Sequence, residues 1–94
     1  MKQFSVVRRG DAVGVVVDSD LLPKDRSVVV IPLVEGLPRA GALNPVLVAA
    51  GRERILHPRA IAALRRDALE DIGESLEDRR DAIIRAVDIL LGGV

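Results

Sequence analysis

Three valine-rich runs of strand length crowd the first part of the chain: QFSVV (3–7), AVGVVVD (12–18) and RSVVVIPLV (26–34). β-Branched side chains are stiff at χ1 and suit a pleated surface better than a helix. Turn residues separate the runs: Arg9-Gly10-Asp11 reads as a hairpin turn, and the segment 18–25, with Pro23, breaks the second run from the third. Short strands following one another directly predict an antiparallel or mixed sheet closing toward a small barrel. Pro32 has no N–H to give to a ladder, so the third run is expected to meet an edge, a bulge or its own end there, and to bend.

A loop over 35–44, carrying Gly36, Pro38 and Gly41, leads into PVLVAA (45–50), a turn at Gly51 and RERIL (52–56). This predicts a second hairpin, closed by His57-Pro58. The stretch RAIAALRRDALEDIG (59–73) has the alanine, leucine and arginine content of a helix, so local propensity leaves helix and strand both open. Ser75-Leu76-Glu77-Asp78 then forms a capping-box pattern, with Ser75 as the expected N-cap and Asp78 at the third helical position. Beyond it Ile83, Ile84, Val87, Leu90 and Leu91 recur at the spacing of one helical face, while Arg80, Arg85 and Asp88 fall elsewhere. The stripe predicts a helix docked as far as Leu91, with Gly92, Gly93 and Val94 presented beyond it.

A chain of 94 residues is expected to form one domain, residues 1–94. It holds no cysteine and is 49% apolar, which is more apolar sequence than one small core hides, so a homo-oligomer is expected. No apolar run is long enough to span a bilayer and the first residues do not begin a signal peptide, which places the expected location in the cytoplasm. Net charge is zero and Phe4 is the single aromatic residue, which argues against nucleic acid as the primary partner.

The catalytic inventory is thin, with one histidine, His57, serines at 5, 19, 27 and 75, and no cysteine or tyrosine. Asp18, Asp20 and Asp25 lack the spacing and glycine of a calcium loop and read as solvated carboxylates, so no metal is expected. No glycine loop suits a phosphate, and no cofactor is expected. Arginines recur at 8, 9, 52, 54, 59, 65, 66, 79 and 80, where equal numbers of acids point to a balanced solvated surface. Binding, not catalysis, is the expected activity.

Six strings, in order, are VVVDSDLL (15–22), RSVVVIPLV, LNPVLV (43–48), RERIL with HP, and LEDRRDAIIRAVDILLGGV to the end, preceded by QF near the start. Together they resemble the CcdB family of toxins from type II toxin–antitoxin modules, over essentially the whole chain. The resemblance implies an α+β fold: a five-stranded antiparallel sheet forming an SH3-like half-barrel of the CcdB and MazF type, a small accessory sheet, a long C-terminal helix and a symmetric dimer. It also implies that 60–64 is strand.

By the same resemblance, such a chain binds the A subunit of DNA gyrase through its helix end and traps the cleaved complex with DNA. A CcdA-like antitoxin neutralises it, and DNA is met only through those partners. The implied gyrase-binding residues are Gly92, Gly93 and Val94, with Gly92 where well-known members carry tryptophan. A retargeted homologue that keeps antitoxin binding but does not poison gyrase is the first alternative. A metal-independent mRNA endoribonuclease of the MazF type is the second, with Arg26, Ser27 and His57 as candidates by residue type.

Overall fold

A computed structural model describes residues 1–38 and 40–92. Among the described residues, seven strands and one α-helix follow the order β1 (Ser5–Arg9), β2 (Ala12–Val16), β3 (Ser27–Val34), β4 (Val46–Ala49), β5 (Arg52–Leu56), β6 (Ala62–Arg65), β7 (Glu70–Ser75) and α1 (Arg80–Leu90). Every pairing is antiparallel. A five-stranded sheet runs β6-β3-β2-β1-β7, and the β4–β5 hairpin joins it through Leu33 and Val34 at the end of β3. The result is a near-closed antiparallel barrel with a C-terminal helix, a small α+β fold.

The valine runs are near-continuous, not alternating, because both faces of the central sheet are buried. On one face Val6, Val13, Val15, Ile31 and Leu33 pack with Phe4, Leu47, Leu56, Leu76, Ile83 and Ala86, under α1. On the other, Val7, Val16, Val28 and Val30 pack beneath Leu64 and Leu69. Among the described residues no helix is long and apolar enough to cross a membrane.

Of the settings expected for Pro32, an edge, a bulge or the strand's end, a local edge is the one found. Pro32 lies inside β3, opposite Gly14 of β2. The outer side of β3 pairs with β6 over Ser27–Val30 and with β5 only at Leu33 and Val34. Pro32 therefore falls in the gap between two partners, where a missing N–H costs no ladder bond. Its carbonyl accepts the His57 N–H at 2.9 Å.

Gly14, opposite Pro32, is set by close approach. A Cβ there would stand 2.5 Å from Val30 Cγ1 and 3.1 Å from the Ile31 carbonyl oxygen. Val30 is short, stiff and buried, so it has little room to yield. Gly14→Ala is expected to destabilise the fold by about 1–3 kcal/mol, as overpacked cores do. A urea titration reads this as a lowered midpoint, and an unchanged midpoint would show that the strand contact has slack.

The stretch 59–73 resolves as strand despite its helical propensity. Val28, Val29 and Val30 of β3 pair with Leu64, Ala63 and Ala62, so the ladder overrides a preference worth only tenths of a kcal/mol per residue. The strand, Ala62–Arg65, sits slightly later than the expected 60–64. Short 3-10 turns at Pro58–Ala60 and Arg66–Ala68 flank it.

The capping box at Ser75 is not formed. Ser75 still pairs with Ser5 as the last residue of β7, so it cannot open the helix. Its Oγ instead accepts the Glu77 N–H at 3.1 Å. A 3-10 turn over Glu77–Arg79 then leads into α1, whose N-cap is Arg79, with no side-chain cap. Asp81 in the first turn suits the positive end of the helix dipole.

Candidate functional site

The buried face of α1 is narrower than the apolar spacing predicted. Ile83 and Ala86 are fully buried, Ile84 and Val87 pack against the core in part, and Leu90 is half-buried. The 3-10 turn Gly41–Leu43 forms much of the surface beneath the helix. That turn is held by Asn44, which is buried: its Oδ1 accepts the Ala40 N–H and its Nδ2 donates to the Leu56 carbonyl, both at 3.0 Å. This turn thus supports the helix from below.

Leu91 is not docked, contrary to expectation. It is 78% exposed. The helix runs past its support, so the last member of the stripe projects into solvent. The Leu91 N–H reaches the Val87 carbonyl at 3.0 Å and the Gly92 N–H reaches the Ile89 carbonyl at 3.2 Å. Gly92 has φ +93, the left-handed conformation that stops a helix and that glycine adopts without strain. Of the three residues expected at the contact, Gly92 is thus a helix stop, while Gly93 and Val94 lie outside the described residues.

Leu21 and Leu22 form a second presented apolar pair, 94% and 60% exposed. Their loop is fixed from both sides. Asp18 Oδ1 accepts the Val29 N–H at 2.9 Å, Asp20 Oδ1 accepts the Gln3 N–H at 2.8 Å, and Ser19 Oγ accepts the Leu21 N–H at 3.1 Å. Asp18 and Asp20 therefore do more than solvate a loop: they hold its backbone in place. The string VVVDSDLL carries both leucines in the family resemblance, but their presentation rests on the loop's hydrogen bonds, for which adjacent leucines inside a polar segment are the one local signal. Among the described residues no cluster of three or more potential metal ligands occurs.

Several arginines are paired as expected of a balanced surface. Arg8 meets Glu70 across β1 and β7 at 2.9 Å, Arg52 meets Glu35 at 3.3 Å and Arg65 meets Asp67 at 2.7 Å. Arg54 Nε donates to the Ala49 carbonyl at 2.9 Å, fixing the β4–β5 hairpin. Exposed pairs of this kind contribute at most about 1 kcal/mol each. Their role is geometric.

Arg26, Ser27 and His57 are not brought together. Ser27 opens β3 and Arg26 precedes it, whereas His57 bonds Pro32 near the far end of the strand. Five positions along a strand are about 17 Å. The His57 side chain is half-buried, with Nδ1 enclosed and no hydrogen-bond partner among the described residues.

The presented features are therefore apolar and sit on rigid supports, an arrangement suited to binding another protein. The family model for the CcdB protein matches residues 3–93, nearly all of the chain. A comparison with curated proteins finds no match. A match of that extent, on a near-closed antiparallel barrel with one C-terminal helix, means that the chain belongs to the CcdB family of toxin–antitoxin toxins.

Proposed function

We propose that this chain, as one domain over residues 1–94, is a cytoplasmic toxin that binds the A subunit of DNA gyrase through the end of α1. It acts by binding, without catalysis or a cofactor. A homodimer presents two helix ends, and a CcdA-like antitoxin neutralises it. Family membership supports the partners; the observation that carries the site is Leu91, exposed at the end of a helix that Gly92 stops. Burying a leucine side chain is worth about 1.5–3 kcal/mol, which at 1.4 kcal/mol per tenfold is a large share of one contact's affinity. The contact residue we favour is thus Leu91, followed by Gly93 and Val94, with Gly92 as the helix stop.

The left-handed backbone at Gly92 also favours a second reading, a homologue that binds its antitoxin but has been retargeted away from gyrase. A tryptophan would be strained in that conformation. Expression in bacteria without antitoxin separates the two. Growth arrest with gyrase-linked DNA breaks is the expected result; normal growth at a verified level of folded protein would favour retargeting.

A further inference from the structure

The junction of β3 and β6 gathers three guanidinium groups around one cleft. Arg26 precedes β3, Arg65 ends β6 and Arg66 follows it. Ser27 pairs with Arg65 on the ladder, and the Arg66 N–H donates to the Arg26 carbonyl at 2.8 Å, so these residues, distant in sequence, lie side by side. The cleft holds about 350 Å³ and is lined by Arg26, Arg65, Arg66 and Asp67.

Three positive groups face one carboxylate, a local charge of +2 on a chain whose net charge is zero. Like charges opposed across a ladder destabilise it. Part of the cluster is nonetheless pre-set. The half-buried Arg66 donates from Nε to the Asp25 carbonyl at 2.8 Å, which fixes the plane of its guanidinium. Arg65 is held by Asp67 at 2.7 Å. The Arg26 side chain has no hydrogen bond or ion pair among the described residues and leaves its donors to the cleft.

Guanidinium forks recognise oxyanions with charge-assisted, often bidentate hydrogen bonds. A carboxylate offers two oxygens and one charge, fewer than this cleft can use. A terminal phosphoryl group offers three acceptor oxygens and up to about two charges, and successive backbone phosphodiesters together offer more than one charge to the cleft. We propose that the cleft formed by Arg26, Arg65 and Arg66 binds a phosphoryl group, from a nucleic-acid backbone or from a free phosphate compound. No aromatic side chain lines it, so any nucleic acid is held by its backbone and without base reading.

The test is an NMR titration of the full-length chain at low salt, in one arm with pyrophosphate and in the other with short single-stranded DNA. Saturable amide shifts at Ser27, Arg65, Arg66 and Asp67 are expected. Tighter binding of DNA identifies a nucleic-acid backbone as the source, and equal or tighter binding of pyrophosphate identifies a free phosphate compound. Arg26→Gln, at an exposed position, is expected to weaken binding about tenfold, whereas Arg85→Gln on α1 leaves it unchanged. Absence of saturation in both arms, saturation centred elsewhere, or unchanged affinity in Arg26→Gln would overturn the proposal.

Discussion

Leu91→Asp is expected to raise the Kd for the gyrase A subunit at least about thirtyfold while leaving thermal stability unchanged within a few degrees. The side chain is 78% exposed, so the fold loses little by its replacement. At a closed interface, however, the new carboxylate must be desolvated without a partner. Asp88→Ala, exposed on the same helix, provides a control that should bind normally. Binding by Leu91→Asp equal to that of the unaltered chain would place the contact elsewhere, with Leu21 and Leu22 as the next apolar residues to test.

The neighbouring position behaves differently. Gly92 carries φ +93, and although a Cβ there would meet nothing within 4 Å, any side chain must accept a left-handed backbone. Gly92→Trp is therefore not a simple addition of an aromatic anchor: it requires the helix end to rewind, at roughly 1–2 kcal/mol.

Phe4→Ala is expected to cost about 3–5 kcal/mol, a large part of the total stability of a small domain. Phe4 is fully buried in the core under α1. Its N–H donates to the Val16 carbonyl at 2.7 Å and its carbonyl accepts the Leu76 N–H at 2.8 Å, so it ties β2 to the approach of the helix. Arg80 stands 5.6 Å above the ring and adds a cation–π contact. Phe4 holds φ +70, a conformation that costs a bulky residue energy and persists because the surroundings fix it. Chemical denaturation should show Phe4→Leu losing less, about 1–2 kcal/mol, because it retains most of the apolar volume. Equal losses for the two variants would show that retained apolar volume does not spare the core, and that the ring itself is what the core requires.

The strands over the first half were legible because valine runs and turn residues are local signals. RERIL matches β5, Arg52–Leu56, residue for residue. The segment 59–73 was not legible from composition, since its conformation is decided by β3, far away in sequence. Ser75 misled for the same reason: the capping pattern was present, but pairing with Ser5 occupied the residue as strand. Periodicity identified the face of α1 that packs, yet it carries no information about where the supporting surface ends. Leu91 therefore looked buried and is exposed. The family resemblance implies the helix end as a contact, whereas φ at Gly92 and the exposure of Leu91 show which residue there has a side chain to offer.

The most direct measurement is a cleavage assay with purified gyrase, supercoiled plasmid and the unaltered chain, analysed after denaturing the enzyme. Accumulation of linear DNA that depends on the chain, and that is lost with Leu91→Asp, is the expected result. Gyrase that turns over without linear DNA at saturating concentrations of the folded chain would contradict gyrase poisoning through the end of α1.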